Sequence, residues 1–546
     1  MKLLKAAIVA MALSGTQVVW AGGINTNTNM STAFGRNLSR EGAISIDGVY
    51  FNPAGATFLS PGLHLAVNWQ LITQHRYIDN NYELFANNTQ QPTTNRNFKG
   101  HSLAPFFPTI QAAYNWHRFS FQANAGVGGG GGKCTFDNGL GSFEKIVSET
   151  AFAASGLAQT VDKSLATTLF KKLTDDGMPA PMAQAMAANV AANGFSSDQY
   201  FGKQGKYSAQ SYMRGRQYYY GVSLGVGYKL TDDLSVFAGA RGVYASCNYY
   251  GYVRNIKVGN MPLYQVLDPS KTNSADIELS CDQSGFGVTP ILGVDYRLGR
   301  WNFSAKYEFK TRMRLKNSSV NQFPSIGNLS DNLAKALNAN LLKSGLTADQ
   351  ALAITEGTLS AQTVAGTLKA LKARFDEGID NATGEYQDGK SIPADLPGIA
   401  AVGVGYTPND ALRLTAGFHY YFDKQAHAYN NRNKLLKRGT MEYSAGVEYD
   451  PIKLVTVSAG YQRTNYGLSD EYMDDKSFVV SSNSIGTGFM LHLSKKTRVN
   501  VAYFHTFYEN KNTEKTEQLT KDLQTHYVAN YSRSNNVFGA SLELDF

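Results

Sequence analysis

Charge is scarce in this 546-residue chain, where acidic and basic side chains together make up only 17%. No stretch beyond the N-terminus strings together the roughly 20 apolar residues that a membrane-spanning helix requires, which excludes a helical membrane protein. Three cysteines, Cys134, Cys247 and Cys281, are too few for a disulfide framework. Cys247 and Cys281 stand at the two ends of one expected loop, where a disulfide and two free thiols fit equally well. The formal net charge of +8 is small for the length, and no basic cluster marks a nucleic-acid surface. Paired carboxylates, His/Cys clusters and Ser–His arrangements at useful spacing are also missing, so neither an enzyme nor a metal or other cofactor is expected.

Aromatic residues and glycine are abundant instead: 12% aromatic, with 32 Tyr and 52 Gly. The N-terminus carries Lys2 and Lys5, an apolar core over Ala6–Leu13, and a small-residue cleavage site at Val19-Trp20-Ala21. That pattern reads as a secretory signal over residues 1–21, with the mature chain starting near Gly22. No cysteine follows the cleavage site, which argues against a lipoprotein.

From Leu63 onward, segments of about ten residues alternate apolar with small or polar side chains, the pattern of a half-buried strand. Tyr218, Tyr220, Val222, Leu224, Val226, Tyr228 and Leu230 form one row, opposed by Tyr219, Gly221, Ser223, Gly225, Gly227 and Lys229. Apolar rows with aromatic ends suit a lipid-facing surface, because Tyr and Trp rings settle at the membrane interface. Short turns at 115–118, 231–233, 298–300, 407–410, 450–453 and 494–497 alternate with long links near 79–102, 129–210, 256–284, 317–395, 425–436, 465–481 and 511–531. Tight turns on one rim and long loops on the other define an all-β, antiparallel transmembrane β-barrel of about fourteen strands, spanning 63–546. The last strand alternates through Phe538, Ala540, Leu542 and Leu544 to the terminal Phe546, which resembles the signal read by the outer-membrane barrel assembly machinery.

Two long loops, about 129–210 and 317–395, are predicted to be helical. Ile146, Phe152, Leu157, Val161, Leu165 and Phe170 form one apolar stripe, and Leu333, Leu337 and Leu341 a second. Thr347-x-x-Gln350 resembles a capping box, ahead of a third stripe at Val364, Leu368, Leu371 and Phe375. Packed on one another, these stripes would form an extracellular cap, and their apolar faces a docking groove.

Residues 22–62 do not alternate. They run through Ala33-Phe-Gly35-Arg36-Asn-Leu-Ser39-Arg-Glu41-Gly42-Ala43 to Tyr50-Phe-Asn52-Pro53-Ala54. With Leu103-Ala-Pro105, Pro108, the strand after Trp301, Leu396-Pro397 and the terminal Phe, this ordered set resembles the FadL-type long-chain fatty acid transporters of outer membranes. The likeness is loose over the whole mature chain and good over residues 33–59.

The resemblance implies an N-terminal hatch at 22–62 plugging the lumen, with Gly35, Asn52, Pro53 and Ala54 among its residues. It also implies a kinked third strand that opens the wall. Gly126, Gly128, Gly129 and Gly130, in the Gly126–Gly132 run, are the candidates for that opening, since glycine weakens a strand and marks bulges. The long helical insertion that follows departs from the family. The resemblance further implies Arg254 and Lys437 at a fatty-acid carboxylate, while Lys306, Lys310 and Arg413 face inward by alternation. The expected partners are a long-chain fatty acid or other hydrophobic small molecule, outer-membrane lipid and the assembly machinery. Nucleic acid is not among them, and a monomer in a Gram-negative outer membrane is expected. A general porin for small polar solutes and an aromatic-hydrocarbon channel of the same fold are the alternatives.

Overall fold

The computed structural model describes residues 26, 29–267, 277–323, 326–520 and 523–546. The expected secretory signal lies outside the described residues, as does the start of the expected hatch.

Fourteen antiparallel barrel strands close into one sheet. In chain order they are β1 (Gly62–Asn81), β2 (Asn95–Ala104 and Thr109–Trp116), β3 (Phe119–Phe136), β4 (Tyr207–Lys229), β5 (Leu234–Val258) and β6 (Ile277–Leu298). They continue with β7 (Trp301–Glu308 and Arg314–Gln322), β8 (Ser391–Pro393 and Ile399–Asn409), β9 (Leu412–Tyr421), β10 (Thr440–Ile452) and β11 (Val455–Asn465). The last three are β12 (Ser482–His492), β13 (Thr497–Tyr508 and Lys511–Thr520) and β14 (Leu523–Asp545). β14 pairs with β1 from His64↔Asp545 to Asn81↔Val528, which closes the ring, and Phe546 N–H donates to Leu63 O at 2.9 Å beside that seam.

Alternation sorts the faces as the sequence leads one to expect. Val222, Leu224 and Val226 on β4 and Phe286, Val288 and Leu292 on β6 are exposed, while lumen-facing Asn68, Gln111, Asn124 and Ser235 are buried. An apolar outer band with a polar interior is what lipid outside and filled lumen inside require.

Several strands run well past the membrane. A spanning strand needs roughly 9–11 residues, yet β4, β5 and β14 have 23, 25 and 23. Alternation fades in these upper halves because both faces are wet or aromatic there. Consequently the strands extend into the long links expected from sequence, and 511–520 and 523–531 pair as a hairpin where a loop is predicted. Cys281 sits on β6 rather than at a loop end, diagonal to Cys247 of β5 by two rungs, and all three cysteines are free thiols.

The upper rim carries the helical cap. Helices Gly141–Asp175, Ala180–Ala192, Leu329–Lys343, Ala348–Ser360 and Gln362–Thr383 bury Leu157, Val161, Leu165, Leu333, Leu337, Leu341 and Val364 in one apolar core. Both halves of the Thr347–Gln350 capping box form. Phe170 is exposed instead of buried, and Leu169 takes the core position, because the stripe drifts by one residue along a helix of 35 residues.

Candidate functional site

Residues 29–61 lie within the barrel, and lumen-facing side chains hold their backbone. Short helices at Thr32–Arg36 and Gly48–Phe51 are buried throughout. Burying so many peptide groups demands partners, and the wall supplies them. Gln122 of β3 donates to Pro53 O at 2.7 Å, Ser235 of β5 to Ala54 O at 2.7 Å, and Lys306 of β7 to Tyr50 O at 2.8 Å. Asn115 of β2 reaches Ala56 O at 3.1 Å and Leu59 O at 3.0 Å. Asn52 donates to Asp295 of β6 at 2.6 Å and accepts from Gly55 N–H at 3.0 Å. The Asn52-Pro53-Ala54 tripeptide is therefore a three-strand anchor, with Ala54 fully buried between Phe237 and Ile291.

Charge fixes the other half of the segment. Glu448 of β10 meets Arg36 at 2.8 Å and Arg40 at 3.0 Å, Arg40 also pairs with Asp47 at 2.8 Å, and Glu41 pairs with His419 of β9 at 2.7 Å. Arg413, inward as its alternation indicates, adds a third contact to Glu448 at 3.2 Å. Glycines make room for this packing. Gly403↔Gly417 and Gly446↔Gly460↔Gly486 are cross-strand neighbours over β8–β12. A Cβ at Gly403 or Gly417 would strike Glu41, at Gly446 Asn37, at Gly460 Leu38, and at Gly486 the carbonyl of Gly35.

The wall is broken on the other side. β2 pairs with β3 from Trp116↔Phe119 to Thr109↔Gly126, and again from Ser102↔Cys134 upward, with no rung between. Pro105 and Pro108 bound the break on β2, since a proline has no N–H to give a ladder. On β3 the break coincides with the glycine run. Val127 faces Tyr220 and Gly132 faces Gln217 across β4, so β3 holds two surplus residues over that stretch. Gly130 and Gly132 take positive φ, 88° and 81°, and a Cβ on Gly130 would overlap the Gln217 carbonyl. Phe106 is 69% exposed outside the break, and Ala104, Phe107 and Val127 pack inside it with Ile72. The lumenal segment touches this place directly: Thr109 donates to Met30 O at 2.8 Å, and the Met30 side chain closes on Gly126.

A small lumenal cavity reaches Gly128 from above the segment, lined also by Tyr219, Val243, Leu396 and Pro397. Its floor is the ion cluster Arg241–Glu308 (2.8 Å) and Lys306–Glu308 (2.9 Å), with both cations 4.9 Å from the Tyr50 ring. The 466–481 link folds inward above it, burying Tyr472, Phe478 and Val480, a plug from the top that periodicity does not announce.

The structure brings Gly35, Asn52, Pro53, Ala54 and the glycine run into one connected region. It does not bring Arg254 and Lys437 together. Arg254 lies on the outer face of β5, paired with Glu278 at 3.0 Å and over Tyr252 at 4.1 Å. Lys437 is exposed ahead of β10, its N–H donating to Gly467 O at 2.8 Å. Lys310 pairs with Asp395 at 3.3 Å.

The site is thus a closed fourteen-strand barrel with an ordered lumenal segment and a glycine-lined break beside its third strand. The chain matches no protein-family model and no curated sequence. Among solved structures, a FadL homologue of Pseudomonas aeruginosa superposes over 96% of this chain and 100% of its own at 14% identity, with a TM-score of 0.55. The P. putida toluene transporter TodX superposes over 92% of this chain and 94% of its own at 12% identity, TM-score 0.47. For the Ralstonia pickettii toluene transporter TbuX the values are 96%, 99%, 12% and 0.47. The first likeness shows the fold: this is a FadL-type barrel.

Proposed function

We propose that this protein takes up long-chain fatty acids, or similar hydrophobic molecules, across a Gram-negative outer membrane and releases them sideways through its wall. The observation that carries this reading is the missing stretch of β2–β3 ladder, which coincides with the Gly126–Gly132 bulges and opens beside a cavity above the lumenal segment. An aqueous path through the lumen would expose the tail to water at about 0.8 kcal/mol per CH₂; an exit into lipid avoids this. Residues 29–61 act as the hatch, and movement of Met30 from Gly126 opens the way. The helical cap receives the substrate.

Similar solved structures include transporters of toluene, which keeps neutral hydrocarbons as a second reading. A general porin fits less well, because the lumen is filled from below by 29–61 and from above by 466–481. The experiment is labelled-oleate uptake by cells lacking their own importer, with and without this chain. Saturable uptake without extra leakage of small sugars supports the proposal; sugar leakage without oleate uptake makes the protein a porin.

A further inference from the structure

Two arginines face the lumen with no carboxylate between them. Arg76 of β1 and Arg533 of β14 are directly opposite across the seam that closes the barrel. Both belong to the inward row, with Ile78 and Tyr531 as buried neighbours on the same face. Residues opposite one another in an antiparallel pair have Cβ atoms about 4.5–5.5 Å apart, and like charges there repel. Elsewhere in this lumen the problem is solved with acids: Glu448 serves Arg36 and Arg40, and Glu308 serves Arg241 and Lys306.

At the seam no such acid is present. Among the described residues neither Arg76 nor Arg533 forms an ion pair. Arg76 donates from Nε to Gln74 at 3.1 Å and lies 5.9 Å from the Phe478 ring. Arg533 makes a long 3.4 Å contact to the Phe478 carbonyl and lies 5.0 Å from the Tyr508 ring, and its buried Nε has no acceptor. The acids of the inward-folded 466–481 link are engaged elsewhere, Asp474 with Arg432 at 3.3 Å and Asp475 with the Ser142 N–H at 2.7 Å. Two guanidiniums bring roughly ten N–H donors in fixed planes, far more than these contacts use.

The pair also stands over the wall break. Arg76 is opposite Gly100 on β2, and Gly100 is opposite Phe136 on β3, two rungs above the last pair before the gap. Ile72, on the same face of β1, packs against the Ala104–Phe107–Val127 cluster in that gap. Four strand residues separate Ile72 from Arg76, a drop of about 13 Å. A cationic head site and an apolar slot at that separation suit an anion with an alkyl tail, and a neutral hydrocarbon leaves the cations unserved.

Resting on the uptake reading, we infer that Arg76 and Arg533 form an anion clamp for the carboxylate of an amphipathic substrate, whose tail points down to the β2–β3 break. The substrate class is then a long-chain acid rather than a neutral hydrocarbon. Equilibrium binding of tritiated oleate and methyl oleate to the purified full chain tests it, with heat-modifiable gel migration confirming a folded barrel. The intact chain should bind oleate at least tenfold tighter than the ester. The Arg76→Gln/Arg533→Gln variant should bind both at the ester's affinity, and Arg76→Lys/Arg533→Lys should keep most of the preference. Equal affinities in the intact chain, or an oleate preference surviving the Gln pair, overturn the clamp while leaving hydrophobe uptake standing. Binding of neither compound overturns both.

Discussion

At the residue scale, the lumenal segment depends on a few buried charges. Glu448 neutralises Arg36, Arg40 and Arg413 at once. Removing one partner of a buried ion pair costs on the order of 3–5 kcal/mol because the survivor stays buried and uncompensated. Glu448→Ala is therefore expected to loosen residues 29–61 while the strand ladders hold. Single-channel conductance in planar bilayers should rise; unchanged conductance would mean that other contacts suffice to seat the segment. Asp475 gives a pH dependence. Burial and the neighbouring Asp474 carboxylate push it up to about 7, whereas Arg432 beside Asp474 holds that carboxyl below its usual range. An acid raised in the folded state stabilises it fully below its unfolded value near 4 and loses that contribution as pH climbs through 7. Asp474 changes only below that window, and Lys476, half-buried and facing the two acids, is held below its ordinary value by desolvation. The 466–481 link should thus exchange amide hydrogens faster at pH 8.5 than at 5.5, after correction for intrinsic rates. Asp475→Asn should flatten the difference.

At the element scale, the glycine row of β8–β12 and the glycine run of β3 do opposite things with the same residue. Along β8–β12 the missing side chains let the lumenal segment approach the wall; on β3 they let the wall fail. Gly460→Val places a side chain against Leu38, so it should unseat that segment and raise bilayer conductance as Glu448→Ala does. The β3 run stands out in the sequence as an uninterrupted stretch, and so do its expected consequences. The β8–β12 row is present only as scattered glycines within ordinary strand alternation. Nothing local says that Gly446, Gly460 and Gly486 become neighbours, because strand register is a property of the closed sheet. Thr347 is legible in the same way as the β3 run, since its capping box is local. Thr347→Ala should cost about 0.5–2 kcal/mol, read as a lower melting temperature of the cap with the barrel transition unmoved.

At the scale of the whole molecule, periodicity carries the barrel and its strand number, because one face meets lipid and the other the lumen all the way round. Strand ends are not legible, since above the membrane both faces become mixed and the alternation disappears. The carboxylate site is not legible either. Arg254 sits in a recognisable position, but it lies on the outer face of β5, paired with Glu278. Arg76 and Arg533 lie 457 positions apart and meet only because β14 closes on β1. In the proposed route, substrate leaves through the wall at β3. Excising Gly129 and Gly130 removes the two surplus residues against β4 and should let the strand pair without bulges. In cells dependent on this chain, labelled-oleate uptake should fall to less than a tenth of that with the intact protein, the shortened barrel still assembled. Uptake at the intact rate through a properly assembled, bulge-free barrel would contradict a lateral exit.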